Sequence, residues 1–261
     1  MDLGLEGKTA IVTGASRGIG LATVKELKKE GVRVVGASRT IPAELEEAAE
    51  ATVSADLSTP EGAAAVVEAA EKLGGVDLLV NNVGGGDAAD LELGGILDTD
   101  DGQWKKMLDL NLYSAVWTTK AALPSLLERR GAIVTVSTIN SRVPAGSPVG
   151  YGESKAALSA FTKRLSEEFG PKGVRVNTVS PGVTLTSLWQ GEDSFGAKVA
   201  EGNGATLDQL LEALPEQFGI STGRLAEPED MAATIAFLLS ERAVGIHGTD
   251  VVADGGTLKH W

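Results

Sequence analysis

The sequence has no cysteine and only two histidines among its 261 residues. The absence of cysteine excludes disulfide bonds, a thiolate nucleophile and zinc sites built from cysteine. Two histidines are too few for a histidine-rich metal centre, so we expect no catalytic metal. Also missing is any run of about 18 apolar residues that could cross a bilayer. Because residues 1–5 show no basic-then-apolar secretory signal, we expect a soluble, cytoplasmic protein with no membrane partner.

Basic residues are scarce relative to acidic ones. The chain contains 23 Lys and Arg against 36 Asp and Glu, which gives a formal net charge of −13. A protein that binds nucleic acid needs clustered basic side chains to neutralise phosphates, so we expect no nucleic-acid partner and attribute the acidity to solubility. The hydrophobic fraction of 43% predicts a globular chain with a sizeable core.

Short runs rich in Val and Ile alternate with longer helical patterns along the whole chain. Strands are predicted over 8–13, 32–38, 51–56, 76–82, 132–137, 174–180 and 249–254, and helices over 20–31, 61–74, 103–129, 151–169 and 228–241. Several of the apolar runs lack strict alternation, which is typical of strands covered on both faces. The alternation predicts a parallel sheet flanked by helices with right-handed crossovers, and no change in composition marks a linker within residues 1–261.

One segment, residues 187–222, departs from this rhythm. It lies between the sixth strand and the last long helix and contains Trp189, Phe195 and Phe218. An insertion near the strand ends with aromatic side chains indicates a substrate lid. The alternative is an ordinary packed helical hairpin.

The segment TGASRGIG, residues 13–20, connects the first strand to the first helix. Glycine tolerates the positive φ of a tight turn and lets a diphosphate approach the backbone, while the helix N-terminus supplies free N–H groups. The turn therefore predicts a dinucleotide site, although a plain glycine-rich turn is the alternative. The residues assigned to it are Gly14, Ser16, Arg17, Gly18, Ile19 and Gly20.

The end of the second strand bears on the choice of dinucleotide. It reads Ala37-Ser38-Arg39, with no acid to accept from the adenosine ribose, and Arg17 supplies a second cation. Two arginines on one 2′-phosphate favour NADP(H) over NAD(H), unless both are simply solvated. Asp56 has two readings, an acceptor for the adenine amino group or a turn residue. The adenosine end is assigned to Ser38, Arg39, Asp56 and Leu57.

Tyr151 and Lys155 are four residues apart in YGESK, which places both on one face of a helix. A nearby cation lowers the pKa of a phenol, so the pair predicts a tuned acid; an exposed helical pair is the alternative. Such an acid needs a neighbouring hydroxyl to hold the group it protonates. The candidates are Ser137, Thr138, Ser141 and Ser147.

Several motifs follow one another in a characteristic order. They are TGASRGIG, NNVG (81–84), DLNL (109–112), YGESK (151–155), SPGVTLT (180–186), GRLAEPEDMA (223–232) and VADGG (252–256). The set resembles the short-chain dehydrogenase/reductases of the compact, single-domain type. The resemblance implies a doubly wound Rossmann-type fold with a seven-stranded parallel sheet, a nicotinamide cofactor, and oxidation of alcohols or reduction of carbonyls in one domain over residues 1–261.

By position, the resemblance assigns Tyr151 as the catalytic acid/base and Lys155 as the group that binds the nicotinamide ribose and lowers the tyrosine pKa. It assigns Asn111 to hold a water that links Lys155 to solvent. An asparagine within a helix needs such a reason, for example a kink or a water site, unless it is merely solvated. The resemblance also implies that the cofactor is lined by Asn82, Gly84, Pro181, Gly182, Thr184 and Thr186.

The sequence departs from the family pattern at the hydroxyl position. The family usually has serine thirteen residues before the tyrosine, and counting back from Tyr151 reaches Thr138. Adjacent strand residues point to opposite faces, so Ser137 and Thr138 cannot both serve unless the strand has ended. We predict Thr138, with a narrower pocket because of its methyl group, and Ser141 in reserve. Another departure is the glycine-rich segment 84–103, which is longer than in many relatives and is expected to help set specificity, with a surface loop that has no role in recognition as the alternative.

The leading hypothesis is an NADP(H)-dependent oxidoreductase that interconverts a ketone and a secondary alcohol. One alternative is a 3-oxoacyl carrier-protein reductase, which needs a basic patch for its acidic carrier. Another is an inactive dinucleotide-binding regulatory protein, since fold does not determine function. We expect a homotetramer or homodimer formed through helices 103–129 and 151–170, with residues 258–261 reaching a neighbouring subunit. Basic residues that a carrier could meet are scattered: Arg129, Arg130, Lys163, Arg164 and Lys172.

Overall fold

A parallel sheet of seven strands forms the centre of the computed structural model, which describes residues 2–85, 95–144 and 147–259. The strands are Thr9–Thr13 (β1), Arg33–Ser38 (β2), Ala51–Ser54 (β3), Leu78–Asn81 (β4), Ala132–Val136 (β5), Arg175–Pro181 (β6) and Asp250–Ala253 (β7). Their order in the sheet is β3-β2-β1-β4-β5-β6-β7. The order reverses between β1 and β4, and the loops at the carboxyl ends of these strands border a crevice. The predicted doubly wound Rossmann-type fold is confirmed.

Helices cover both faces of the sheet. They are Gly18–Lys29 (α1), Ala43–Ala48 (α2), Pro60–Lys72 (α3), Asp101–Leu108 (α4), Ser114–Arg129 (α5), Tyr151–Phe169 (α6), Phe195–Gly202 (α7), Leu207–Gln217 (α8) and Pro228–Leu239 (α9). Helices α1 and α9 pack together on one face, and α3 packs against α5 on the other. Within the described part of the chain, no helix has the length and apolarity needed to cross a membrane.

The central strands of the sheet are buried on both faces, and most of their residues are apolar. All five residues of β1 are buried, and consecutive side chains pack into different hydrophobic clusters. Ile11 belongs to the cluster under α3 and α5, whereas Val12 belongs to the cluster under α1 and α9. This two-sided burial explains why the strands read as continuous apolar runs rather than as alternating patterns.

Some boundaries differ from the prediction. The short helix α2 was not predicted, since six residues carry too little periodicity; it is held by the buried side chain of Leu45. Strand β3 ends at Ser54, so Asp56 lies in the following turn rather than at the end of the strand. The helix predicted over 103–129 is divided into α4 and α5 by a π-helical turn, Asp109–Tyr113, which contains Asn111.

The segment 187–222 folds as two packed helices, α7 and α8. Both begin with a side-chain cap: Ser194 accepts from the backbone N–H of Ala197 at 3.0 Å, and Thr206 accepts from that of Gln209 at 3.2 Å. Their apolar faces meet in a separate buried cluster that includes Leu210. The segment thus has the form of the helical hairpin, and its function as a lid stays a prediction.

Candidate active site

A cavity of about 500 Å³ opens where the loops after β1, β2, β4, β5 and β6 meet at the carboxyl ends of the strands. Most of the predicted site residues line it: Gly14, Ser16, Arg17, Gly18, Ile19, Ser38, Arg39, Asp56, Leu57, Asn82, Gly84, Thr138, Tyr151, Lys155, Pro181, Gly182, Thr184 and Thr186. Gly20 and Asn111 are not part of the lining and lie behind it. Residues far apart in sequence are therefore brought together at one edge of the sheet.

In the glycine turn, the backbone of Gly20 at the start of α1 lies close against the backbone of Gly14. A Cβ atom at Gly20 would lie 2.2 Å from the carbonyl oxygen of Gly14, so no larger residue fits there. Arg17 occupies the N-cap position and makes no side-chain capping bond to the helix. The N-terminal N–H groups and the helix dipole of α1 thus suit an anionic group in the cavity. This cradle fits the diphosphate of a dinucleotide.

Asn82 holds the glycine turn against the end of β4. Its side-chain amide donates to the carbonyl oxygens of Thr13 at 3.0 Å and Gly14 at 3.1 Å. The hydroxyl of Thr13 accepts from the backbone N–H of Asn82 at 2.9 Å and donates to the carbonyl of Val80 at 3.2 Å. The predicted lining residue Asn82 therefore also fixes the shape of the turn that it faces.

The end of the cavity that the sequence analysis assigned to adenosine contains both arginines. Arg17 and Arg39 are exposed side chains on its lining. One oxygen of Asp56 accepts from the hydroxyl of Ser58 at 2.7 Å and from its backbone N–H at 3.0 Å. These bonds hold the pKa of Asp56 below its ordinary value, and the charge of Arg39 acts in the same direction. Asp56 has the turn role that was the alternative for it, and its contact with adenine remains a proposal.

Gly84, Asn111 and Lys155 are tightly packed at the centre of the site. A Cβ atom at Gly84 would lie 2.5 Å from the ammonium nitrogen of Lys155 and 2.8 Å from the amide oxygen of Asn111. That oxygen accepts from the backbone N–H of Gly85 at 3.0 Å, while the amide nitrogen donates to the carbonyl of Met107 at 3.0 Å. Asn111 is fully buried in the π-helical turn. It joins that turn to the loop after β4.

Tyr151 and Lys155 lie on successive turns at the start of α6. Lys155 is 2% exposed and donates to the carbonyl oxygen of Val136 at 2.9 Å. Burial lowers the pKa of Lys155 to about 8. Burial raises the pKa of Tyr151 above its ordinary value, and a hydrogen bond with Thr138 opposes that rise. The predicted lowering of the tyrosine pKa is thus wrong for the protein alone, because desolvation of the hydroxyl outweighs its neighbours.

Of the four candidate hydroxyls, the one that meets Tyr151 is Thr138. Strand β5 ends at Val136, so the two following side chains diverge. The hydroxyl of Ser137 lies 2.8 Å from that of Ser159, on α6. Ser141 donates to the carbonyl of Thr138 at 2.7 Å and so stabilises the loop.

The remaining candidate hydroxyl, that of Ser147, also serves the loop, since it donates to the carbonyl of Pro144 at 2.8 Å. The reserve assignment of Ser141 is not needed, because its hydroxyl is directed at the backbone.

The 187–222 segment borders the same cavity. The rings of Trp189 and Phe195 meet edge to face with centroids 5.6 Å apart. Phe195 belongs to a cluster with the buried Met107, against which Tyr151 and Leu188 pack. The lining includes residues that the sequence did not single out, among them Asn140, Val143, Pro148 and Thr257. No motif identifies these positions, since they depend on how the loops fold.

Two predictions concern flanking segments. Residues 258–261 were predicted to reach a neighbouring subunit, and this stays a prediction. Within its own chain, the ammonium of Lys259 donates to the carbonyl of Gly219 at 2.6 Å and the hydroxyl of Ser221 at 2.7 Å. The rest of that tail, residues 260–261, lies outside the described residues, as do residues 86–94 of the specificity segment 84–103.

Comparison with known proteins agrees with this geometry. A family model described as enoyl-(acyl carrier protein) reductase, of the short-chain dehydrogenase/reductase type, matches residues 14–257. The chain belongs to the short-chain dehydrogenase/reductase family. The resemblance inferred from the motifs is confirmed, and the protein is an oxidoreductase of a family that acts on CH–OH groups.

Three similar proteins illustrate the range of this family. The chain is 33% identical to 3beta-hydroxysteroid dehydrogenase 1 of Eggerthella lenta, over 97% of this chain and 94% of the relative. It is 31% identical to the 3-oxoacyl-[acyl-carrier-protein] reductase FabG of Vibrio cholerae, over 97% and 98%. The crystal structure of L-sorbose reductase from Gluconobacter frateurii, complexed with NADPH and L-sorbose, is 34% identical and has a TM-score of 0.91 with full coverage of both chains.

Proposed function

We propose that this short-chain dehydrogenase/reductase is an NADP(H)-dependent enzyme that interconverts a ketone and a secondary alcohol. The observation that carries the proposal is the hydrogen-bonded pair Tyr151 and Thr138 in the cavity wall, with the buried Lys155 one turn along α6. A phenol and an alcohol that lie side by side can both contact the same carbonyl oxygen of a substrate. An inactive dinucleotide-binding protein, the alternative, would have no use for a lysine buried at this position, because burying a charge costs free energy.

The residues of the chain supply the acid and the hydrogen bond of the reaction. Bound NADPH would supply the hydride that adds to the carbonyl carbon. Tyr151 then gives its phenolic proton to the carbonyl oxygen, and Thr138 donates a hydrogen bond to the same oxygen as charge develops there. In the oxidative direction Tyr151 takes the proton back. The positive charge of Lys155 favours the phenolate that remains after transfer, and Asn111 would hold a water beside it.

Replacing Thr138 tests whether its hydroxyl contributes to the reaction. Thr138→Val keeps the shape of the side chain and removes the hydroxyl, so kcat for ketone reduction should fall by about 10²- to 10³-fold, as expected for loss of one donor to a developing oxyanion. Thr138→Ser keeps the donor and should stay within about threefold of wild type. Steady-state kinetics with NADPH measure both. Equal activity of the valine and serine variants would assign the hydrogen bond to another group.

NADP(H) is the preferred cofactor in this proposal because Arg17 and Arg39 both line the adenosine end. The described residues there include one acid, Asp56, whose carboxylate is engaged by Ser58. A 2′-phosphate beside two guanidinium groups gains charge-assisted hydrogen bonds that a ribose hydroxyl does not. The NADPH bound in the sorbose reductase structure supports the same choice.

Arg39→Asp should reverse this cofactor preference. The substitution removes one cation and places a carboxylate near the 2′ position, so kcat/KM for NADPH should fall by roughly 10- to 100-fold, in line with the loss of a hydrogen bond to a charged group. The value for NADH should be unchanged or higher, because the new carboxylate can accept from a ribose hydroxyl. Arg164→Asp, at a surface position on α6, is the matched charge control. An unaltered NADPH/NADH ratio in Arg39→Asp would contradict the two-arginine assignment.

A second candidate function, reduction of 3-oxoacyl groups on a carrier protein, is favoured by the similarity to the Vibrio cholerae enzyme. The arrangement of the basic residues gives it less support. Arg129 pairs with Asp77 at 3.0 Å, and Arg164 pairs with Glu168 at 3.0 Å. These pairs neutralise charge that an acidic carrier would need, so we rank free ketones first. Assays with acyl-carrier-protein thioesters distinguish the two.

Assembly and location are part of the proposal. A homotetramer or homodimer through α5 and α6 is consistent with aromatic surface at the start of α5, where the 40% exposed Tyr113 stacks on Trp117. Light scattering would measure the number of subunits. We place the protein in the cytoplasm, which fractionation would test.

A further inference from the structure

Charged side chains are unevenly distributed around the cavity. Arg17, Arg39 and Asp56 line the adenosine end, and Lys155 lies at the centre. The remaining lining of the described residues is uncharged, and most of it is apolar. Six apolar members lie on the loop between β5 and α6 and on the 187–222 segment and are here called the apolar wall: Val143, Pro148, Leu188, Trp189, Phe195 and Phe218.

The apolar wall exposes hydrophobic surface inside a concave site. Phe218 is 46% exposed and Val143 is 36% exposed, which makes them two of the few large hydrophobic side chains with such exposure among the described residues. Trp189 and Phe195 also line the cavity, and their rings meet edge to face with centroids 5.6 Å apart. When an apolar ligand covers exposed apolar surface within a pocket, the removal of that surface from water makes binding more favourable.

Two of the hydroxyls that line the cavity with the wall are already engaged. Ser147 donates its hydroxyl proton to the carbonyl of Pro144 at 2.8 Å, and Thr257 donates to the carbonyl of Asp254 at 2.7 Å. The hydroxyls of a polyhydroxylated substrate that lie against the apolar side chains would lose water there without gaining a hydrogen bond. A carboxylate next to the wall would be desolvated without a described cation to pair with, because Lys155 is directed at the carbonyl of Val136.

We propose that the substrate is an uncharged ketone, or the matching secondary alcohol, that carries an alkyl or ring group bound against the apolar wall. The inference rests on the proposed function. The carbonyl oxygen is held by Tyr151 and Thr138, and the apolar substituent extends toward Trp189 and Phe218. The wall selects substrates because it covers the apolar surface of their substituent and offers no partner to a charged group on the substrate.

Matched ketones separate charge and polarity from size. In NADPH-dependent assays, 6-methyl-2-heptanone is compared with 5-oxohexanoate, in which a carboxylate replaces the isopropyl group. The value of kcat/KM for 6-methyl-2-heptanone should be at least about 100-fold higher than that for 5-oxohexanoate, because the carboxylate is desolvated without a partner. In the second pair, kcat/KM for 3-pentanone should be higher than that for dihydroxyacetone, in which hydroxyls replace the two methyl groups. Across 2-butanone to 2-octanone, kcat/KM should rise by about threefold per added methylene.

Substitutions locate the effect. Phe218→Ala and Trp189→Ala should each lower kcat/KM for 2-octanone by about tenfold or more, since each removes a large part of the covering surface. The loss for acetone, whose methyl groups are too short to cover the wall, should be at least about threefold smaller than the loss for 2-octanone, and Phe218→Leu should recover most of the loss for 2-octanone. Val244→Ala, at an exposed position outside the cavity, is the control and should change neither value.

A binding measurement keeps the inference separate from the proposed function. Isothermal titration calorimetry on the NADPH complex of Tyr151→Phe should show tighter binding of 6-methyl-2-heptanone than of 5-oxohexanoate, whether or not turnover occurs. If the wild type reduces 5-oxohexanoate or dihydroxyacetone as well as the apolar partner, the apolar-substrate inference is overturned while ketone reduction stands. If no ketone is reduced, the proposed function fails, and equal binding in the calorimeter would overturn the inference as well.

Discussion

Tyr151→Phe is expected to lower kcat/KM for ketone reduction by about 10²- to 10⁴-fold, the usual contribution of a general acid. The phenylalanine keeps the ring that packs in the cluster with Met107 and Phe195, so the fold and the cavity should be preserved. Only the proton and the hydrogen bond with Thr138 are removed. Steady-state NADPH oxidation measures the loss, and NADPH fluorescence titration should show cofactor affinity within about threefold of wild type.

The control for this variant is Tyr113→Phe. Tyr113 is a surface residue at the end of the π-helical turn, and it stacks on Trp117 away from the cavity lining. It is one of only two tyrosines in the chain, so the pair isolates the catalytic phenol. Ketone reduction by Tyr151→Phe at the wild-type rate, with the cofactor still bound, would show that the proton comes from elsewhere.

Lys155→Met is expected to change the pH dependence of stability as well as activity. Burial lowers the pKa of Lys155 in the folded protein from 10.5 to about 8. Below about pH 8 both folded and unfolded chains hold the proton, and the buried ammonium costs a constant amount. Between about pH 8 and 10.5 the unfolded chain binds more protons, so the free energy of unfolding rises with pH, by roughly 3 kcal/mol in total.

The measurement is the difference in unfolding free energy between wild type and Lys155→Met, obtained by denaturant titration without cofactor from pH 7 to pH 10.5. That difference should increase with pH in favour of the wild type, since only the wild type loses a buried charge. Lys163→Met, at an exposed position on the same helix, is the matched control. Parallel pH curves for wild type and Lys155→Met would contradict the burial-driven shift. Turnover of Lys155→Met should fall by about 100-fold or more, as for loss of a group that tunes an acid.

The fold could be predicted from the sequence because its signals are local and repeated. Strands buried on both faces show as continuous apolar runs, and the turn from β1 into α1 shows in the spacing of Gly14, Gly18 and Gly20. The helix α2 was missed because its six residues are too short for a periodic pattern. Asp56 was placed at a strand end because the sequence does not show where hydrogen bonding between β2 and β3 stops.

The site was predictable as a set of residues but not as a set of environments. Thr138 was predicted from its spacing to Tyr151 in the family pattern. Where its hydroxyl lies depends on strand β5 ending at Val136, a boundary that the apolar run does not mark. The pKa of Tyr151 was expected to be lowered because spacing on a helix shows proximity to Lys155; it does not show how far the hydroxyl is removed from water. The apolar wall comes from loops and from α7 and α8, whose positions follow from tertiary packing.

The most direct test of ketone reduction by hydride transfer uses NADPH deuterated at both C4 positions, with 2-octanone as substrate and the wild-type enzyme. Mass spectrometry of the 2-octanol product should show one deuterium on the carbinol carbon, and the hydroxyl proton should come from solvent through Tyr151. The same assay with Tyr151→Phe should give little product. Absence of deuterated 2-octanol from the wild-type reaction, with NADPH shown to bind, would contradict the account.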